Sequence, residues 1–226
     1  MLINANLDSR AIVHVAQEPW IASPMQGVDR RMLDRIGDEV ARATSIVRYA
    51  PGSSFSSHTH TGGEEYFVLD GVFQDEHGDF PAGTYVRNPP TSSHSPRSDN
   101  GATIWVKLWQ FDLADRHQMS VDSTTQTPVC IARGVSEIKL YEDNRENVRI
   151  EIWNPQTPIK NDDHLGLELL VLEGSFTFDG EAFEKHSWLR LPPGDNFAAK
   201  SGPDGARLLI KSDHLAGPQL ASKDRS

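Results

Sequence analysis

The segment that decides both the fold and the site runs from residue 52 to residue 71 and reads GSSFSSHTHTGGEEYFVLDG. His58 and His60 are two residues apart, so both imidazoles lie on the same face if this segment is a strand. Glu64 has the same parity, and the Gly62-Gly63 pair before it allows the backbone to bend. We therefore expect the carboxylate of Glu64 to converge on the two histidines.

A third histidine follows this segment. Residues 88–94 read NPPTSSH and end in His94, on a later strand or on the loop that leads to it. Three imidazoles and one carboxylate form a donor set that suits a divalent ion such as zinc, iron, manganese, nickel or cobalt. A six-coordinate ion would keep two positions for water, substrate or dioxygen, as metal catalysis or ligand sensing requires. The residues therefore predict one metal centre.

Pairs of proline and glycine divide the rest of the chain into short segments rich in Val, Ile, Thr and aromatic residues. This pattern is typical of a β-sandwich or barrel. Residues 103–109 alternate with a period of two, so Ile104, Val106 and Leu108 should share one face. Residues 28–40 are the one stretch with a competing helical pattern.

An internal repeat organises the chain. Residues 68–71 read VLDG and recur as VLEG at 171–174, and the segment 86–90 recurs at 189–193, each copy lying 103 positions after the first. The segment of the second copy that matches residues 32–49 is residues 138–153, which reads as two strands around a polar turn. The repeat therefore predicts a hairpin turn at Gly37-Asp38 rather than the interior of a helix.

The repeat also predicts the domain organisation. We expect two β units, a polar linker between them, an extension before the first unit and a loose tail after the second. The expected bounds are 1–19 for the extension, 20–112 for the metal-binding unit, 113–129 for the linker, 130–215 for the second unit and 216–226 for the tail.

Two motifs carry a resemblance to a known family. The spacing Gly-x5-His-x-His-x3-Glu-x6-Gly over residues 52–71 resembles the first cupin motif, and Pro81-x-Gly83 followed by Pro90-x3-His94 resembles the second. The ChrR-like cupins, named for the C-terminal domain of the ChrR anti-sigma factor, have a sequence similar to that of residues 58–94, HTHTGGEEYFVLDGVFQDEHGDFPAGTYVRNPPTSSH.

The resemblance covers residues 20–110 strongly and residues 130–215 as a degenerate second copy. It implies an all-β bicupin, with two tandem cupin barrels of the double-stranded β-helix, or jelly-roll, type. It also implies a site in which the metal ligands are His58, His60, Glu64 and His94. Glu65 is the competing carboxylate, because cupins also use the x4 spacing from His60 to Glu65, but the x6 distance to Gly71 favours Glu64.

The second copy departs from the family pattern. With an offset of 103 its ligand positions are Asn161, Asp163, Leu167 and Phe197. An offset of 104 instead gives Asp162, His164 and Glu168, which keep the short spacing but lack the last histidine. Loss of this cross-strand ligand removes the convergence that makes a site tight. The second unit is therefore interpreted mainly as a packing partner, with a weak second site as the alternative.

Composition excludes several classes of protein. The chain has 226 residues, a formal net charge of −10 and one cysteine, Cys130. The acidic charge opposes binding to nucleic acid or to anionic membranes, and a single cysteine excludes an intrachain disulfide and any multi-cysteine metal site. No apolar run is long enough to span a bilayer, and no secretory signal pattern begins the sequence. We expect a cytoplasmic protein in which Cys130 is a small buried residue.

Two functions from different classes follow. The resemblance implies a regulatory or sensing cupin, whose zinc or other divalent ion responds to a small molecule or oxidant and whose change a partner protein reads. The first unit begins near Trp20 and no cysteine precedes Cys130, so we do not expect this chain alone to sequester a sigma factor, and a separate helical partner would be required. The alternative is a metal-dependent dioxygenase of the diketone- or flavonol-cleaving type. Homodimerisation is expected by analogy with other cupins.

Overall fold

A computed structural model describes residues 1–38, 40–161 and 164–215 of the chain. Strands are almost the only regular secondary structure among the described residues, which form two compact units. The first unit comprises Met1–Ala5 and Pro19–Thr125, and the second comprises Asn6–Glu18 and the residues from Gln126 onward. The predicted all-β fold with two tandem jelly rolls is confirmed.

In chain order, the strands of the first unit are β1 (Leu2–Ile3), β3 (Ile21–Ala22), β4 (Val28–Gly37), β5 (Ala41–Tyr49), β6 (Ser53–Ser54), β7 (His58–Thr59), β8 (Glu64–Asp75), β9 (Gly78–Pro81), β10 (Thr84–Asn88), β11 (Ser93–His94), β12 (Arg97–Ser98), β13 (Ala102–Leu108) and β14 (Met119–Asp122). Eleven of them form one sheet with the main path β1-β4-β5-β13-β8-β10-β14, and β7 pairs with β11 separately.

The strands of the second unit are β2 (Ala11–His14), β15 (Val129–Ala132), β16 (Val135–Glu142), β17 (Asn147–Trp153), β18 (Pro158–Asn161), β19 (Leu167–Phe178), β20 (Glu181–Phe183), β21 (Ser187–Leu191) and β22 (Phe197–Ser212). Their nine-stranded sheet has the main path β15-β16-β17-β22-β19-β21-β2. A single-turn 3-10 helix, Val15–Gln17, follows β2. No helix in the described ranges is long and apolar enough to cross a membrane.

The alternating pattern of residues 103–109 places its apolar face in the core of the first unit. Ile104 and Val106 are buried, and Leu108 packs against the same cluster from a partly exposed position. The helical alternative for residues 28–40 is rejected, because β4 and β5 pair as an antiparallel hairpin around the predicted turn. Strand alternation thus prevails over the helical stripe once a partner strand is available.

The structure follows the internal repeat closely. Strand β19 begins and ends 103 positions after β8, and β21 does so after β10. Gly71 and Gly174 occupy equivalent places, with φ of +73° and +70°, and a Cβ added to either would lie about 2 Å from the carbonyl oxygen of Gly101 or Gly205. Only glycine satisfies both conditions, which explains why this residue recurs in both copies.

The expected unit boundaries need two corrections. Residues 1–19 are not a separate extension, because β1 pairs with β4 in the first unit and β2 pairs with β21 in the second. The predicted linker 113–129 contains β14, which pairs with β10 and extends the first sheet. Strands β1, β2 and β14 are all too short to give a periodic signal in the sequence. The expected tail, residues 216–226, lies outside the described residues.

Cys130 is also corrected. It lies on β15, where all four residues are exposed, rather than in the core. Strand β15 ends the sheet path of the second unit and pairs only with β16 in the described part of the chain. The apolar neighbours of Cys130 therefore mark an edge strand and not a buried one.

Candidate metal centre

Two short strands place the histidines. Strands β7 and β11 are antiparallel, and His58 and His94 are directly opposite one another in their register. The chain continues to His60, whose backbone N–H donates to the carbonyl oxygen of Ser92 at 2.9 Å and whose carbonyl oxygen accepts from Thr91 at 2.9 Å. This pairing brings together residues that are 34 to 36 positions apart in the sequence.

The three side chains form one cluster. One ring nitrogen from each of His58, His60 and His94 lies within 4.8 Å of the other two, a spacing that suits ligands of one metal ion. Their ring centroids are 4.7 to 5.0 Å apart. His60 and His94 are buried, whereas His58 is exposed. The cluster is therefore enclosed on one side and open to solvent on the other.

Glu64 lies beside the three histidines. Its Oε2 lies 3.5 Å from Nε2 of His60 and 3.5 Å from Nε2 of His94. Neither Nε2 atom has a hydrogen-bond partner among the described residues, although both are buried. Unpaired buried imidazole nitrogens beside a carboxylate would be costly as a purely structural arrangement. The donor set fits a divalent ion, which would take all of these atoms as ligands.

Two residues that the sequence did not nominate support the cluster. Asp75 Oδ2 lies 3.1 Å from Nδ1 of His94, on the opposite side of the ring from Glu64, and both residues are buried. Asn88 donates through Nδ2 to Glu64 Oε2 at 3.3 Å. A carboxylate on the second nitrogen of a metal-binding histidine orients the ring and increases its basicity. No motif spacing pointed to either residue, because each contact is made across strands.

The environment separates the pKa values of two of the histidines. Burial lowers the pKa of His60, so its imidazole is neutral and available as a ligand. Burial also acts against the charged form of His94. The hydrogen bond to Asp75 and the negative charge of Glu64 outweigh it and raise the pKa of His94. In the metal-free protein a proton on His94 would therefore compete with a metal ion at this position.

Glu65 points to a different part of the unit from Glu64. It is fully buried, and its Oε2 accepts a hydrogen bond from the hydroxyl of Tyr85 at 2.5 Å. Lys107 and Arg87 are its cross-strand neighbours on β13 and β10. Successive residues of a strand face opposite sides of the sheet. Tyr85 and Arg87, which flank the motifs, accordingly lie with Glu65 and not with the histidines.

This arrangement predicts that two isosteric variants, Glu64→Gln and Glu65→Gln, affect different properties of the protein. Glu64→Gln is expected to weaken metal binding by about 10-fold or more, because a neutral amide replaces a charged donor. Glu65→Gln should keep the metal affinity and lower the unfolding midpoint, since it disturbs a buried carboxylate. Titration calorimetry with zinc and thermal unfolding measure both quantities. Weaker metal binding in Glu65→Gln, with Glu64→Gln unaffected, would contradict the assignment.

The second unit lacks an equivalent cluster in its described residues. Because β19 follows β8 at an offset of 103, Leu167 occupies the place of Glu64, and Glu168 occupies the place of Glu65. Glu168 accepts a hydrogen bond from Trp188 Nε1 at 2.7 Å, much as Glu65 accepts one from Tyr85. Glu168, which an offset of 104 would align with Glu64, is therefore not at the position of Glu64 in the second unit. Asp162 and Asp163 lie outside the described residues.

A cavity takes the place of the metal cluster in the second unit. Its volume is about 310 Å³, and its lining includes Asn161, Leu167 and Phe197, which stand at the positions of His58, Glu64 and His94. His164 makes a local contact instead: its Nδ1 accepts a hydrogen bond from the backbone N–H of Gly166 at 3.2 Å. Two of these three residues, Leu167 and Phe197, are apolar, so the cavity lacks the donor set of the first unit.

Residues 8–112 match the family described as the ChrR cupin-like domain. The histidine cluster lies within these residues. The chain therefore carries a ChrR cupin-like domain over residues 8–112. A comparison with curated protein sequences finds no significant match.

Solved structures confirm the fold over most of the chain. Protein Ylba from Escherichia coli has a TM-score of 0.69 and 12% identity, and the match covers 95% of each chain. The bacterial pirin YhhW from Escherichia coli, in complex with nickel(II), has a TM-score of 0.64 and 12% identity, with 90% of this chain and 98% of that chain covered. At this identity the likeness shows the fold alone.

A third solved structure is a mutant of the salicylate 1,2-dioxygenase from Pseudoaminobacter salicylatoxidans. Its TM-score is 0.60 and its identity 14%, and the match covers 76% of this chain and 71% of that chain. A pirin and a salicylate 1,2-dioxygenase thus share this fold, and the function must be argued from the site.

Proposed function

We propose that the protein binds one divalent metal ion through His58, His60, His94 and Glu64, and that this centre binds a small molecule or oxidant in a regulatory role. The observation that carries the proposal is the convergence of three imidazoles on one carboxylate, with two buried Nε2 atoms unpaired within the described chain. The ChrR cupin-like domain over residues 8–112 supports the regulatory role.

When bound, the metal would supply Lewis acidity and open positions for an exogenous ligand. The chain's own residues do the rest. Asp75 orients His94, Asn88 orients Glu64, and the exposed position of His58 leaves a route from solvent to the centre. Zinc would suit a site that binds a ligand without redox change, and iron, manganese, nickel or cobalt would suit one that reacts with an oxidant.

A metal-dependent dioxygenase is the second candidate. Tyr49 contacts both Phe55 and Phe73, and the ring centroid of Phe73 lies 6.0 Å from that of His94. Such an apolar wall next to a metal centre suits a small organic substrate. A salicylate 1,2-dioxygenase is among the proteins with a similar fold.

Metal loading followed by oxygen uptake separates the two candidates. We expect elemental analysis of the purified protein to give about one divalent ion per chain, and no oxygen uptake by the iron(II), manganese(II) or nickel(II) forms with diketones or flavonols. Uptake with any of these substrates would replace the regulatory proposal with the dioxygenase. Protein that binds none of these ions would contradict both. A regulatory role further predicts that a purified helical partner binds the loaded form and is released by the oxidant.

A further inference from the structure

The inner face of β8 carries a polar group that the metal centre does not use. Glu64, Tyr66 and Val68 occupy every second position of this strand, so their side chains share one face. Tyr66 and Val68 are fully buried members of the core cluster of the first unit. Tyr66 is therefore the next side chain inward from Glu64.

Aromatic contacts connect Tyr66 to the histidine cluster. Its ring lies 4.8 Å from that of Phe73, and Phe73 lies 6.0 Å from His94 and 5.2 Å from Tyr49, all between centroids. Glu64 and Asp75 flank His94 on either side. The phenol of Tyr66 is thus close to the cluster.

The hydroxyl of Tyr66 has no hydrogen-bond partner among residues 1–38, 40–161 and 164–215, although the oxygen is buried. Buried tyrosine hydroxyls usually find a partner. By contrast, the hydroxyl of Tyr85, on the other face of the sheet, is paired with Glu65. A buried donor beside a group of metal ligands has one obvious use, which is to bind an acceptor atom brought in by a ligand.

We infer that Tyr66 is a ligand-binding residue whose O–H donates to an oxygen of a small anion, a carboxylate or an enolate, held beside the His58–His60–His94 cluster. This inference rests on the proposed metal centre. Three neutral imidazoles and one carboxylate leave a divalent ion with one net positive charge, so a monoanion neutralises the centre. The aromatic side chains around Tyr66 restrict the anion to a compact one with an apolar body.

The test compares the wild type with Tyr66→Phe, using cobalt(II)-loaded protein and acetohydroxamate as the monoanionic oxygen probe. The cobalt absorption spectrum reports binding of the probe. We expect the two proteins to hold equal amounts of cobalt. The dissociation constant for acetohydroxamate should be about 10-fold higher in Tyr66→Phe than in wild type, which corresponds to a loss of about 1.4 kcal/mol of binding free energy. The metal-free variant should unfold at the wild-type temperature or a few degrees higher, because the hydroxyl makes no bond in the fold that the substitution could remove.

Tyr141→Phe is the matched control. Its hydroxyl donates to Asp143 in the second unit, so its removal should leave the affinity for acetohydroxamate unchanged. Equal affinity in wild type and Tyr66→Phe would overturn the inference, as would a drop in the unfolding temperature of metal-free Tyr66→Phe. Wild type that binds cobalt but not acetohydroxamate would overturn it and leave the metal proposal standing. Wild type that binds no cobalt would overturn both.

Discussion

After dialysis against a chelator, wild type is expected to keep about one metal ion per chain, and His60→Ala is expected to keep fewer than about 0.1 ions per chain. His60 is buried, and its Nε2 and ring contact Glu64, His58 and His94. Without it, two imidazoles and a carboxylate remain, and one of the two buried imidazoles is lost. Elemental analysis after dialysis against a chelator measures the effect.

Stability provides a second readout for the same variant. A ligand that binds only the folded state stabilises it by about 2.7 kcal/mol when its free concentration is 100 times its dissociation constant. Wild type should gain this amount with zinc, and His60→Ala should gain almost nothing at the same concentration. His117→Ala, which removes an exposed histidine of the same unit, should behave like wild type. Equal metal content in both variants would contradict the assignment of His60.

Gly71→Ala is expected to destabilise the protein by about 3 kcal/mol or more, and Gly52→Ala by only about 1 kcal/mol. These are the two glycines that frame the first cupin motif, and their φ angles are nearly equal, at +73° and +74°. A Cβ on Gly71 would meet the carbonyl oxygen of Gly101 at 2.1 Å, whereas a Cβ on Gly52 would meet nothing within 4 Å.

Because the φ cost is common to both variants, the difference of about 2 kcal/mol isolates the close approach of β8 to the chain around Gly101. Denaturant unfolding of the metal-free proteins measures it, so that metal binding does not contribute to the result. Equal destabilisation by the two substitutions would show that backbone conformation alone selects glycine at residue 71.

Much of the fold could be predicted from the sequence because its signals are local. The period-two pattern of residues 103–109 and the repeat at an offset of 103 depend on neighbouring residues and on order along the chain. The two units and the turn after Gly37 follow from them. The contributions of β1, β2 and β14 could not be predicted, because short strands are ordered by the sheet edge that receives them and not by their own sequence.

The histidine cluster was predictable for the same reason, and its surroundings were not. His58, His60 and Glu64 lie within seven residues and follow strand parity, and His94 falls in the second motif. Parity and the spacing to Gly71 favour Glu64 over Glu65, but only the structure shows the hydrogen-bond partner of each carboxylate, which is Asn88 for Glu64 and Tyr85 for Glu65.

The amino-acid sequence by itself determined that this protein is all-β, that it has two repeated units and that the candidate donor set lies in the first. Tertiary structure alone decided that Asp75 and Asn88 contact His94 and Glu64, that Glu168 corresponds to Glu65 and that the hydroxyl of Tyr66 has no hydrogen-bond partner among the described residues. The physical reason is that motif spacing follows from strand geometry within one segment. Hydrogen bonds and burial instead depend on which strands meet, and that is settled only when the whole sheet has formed.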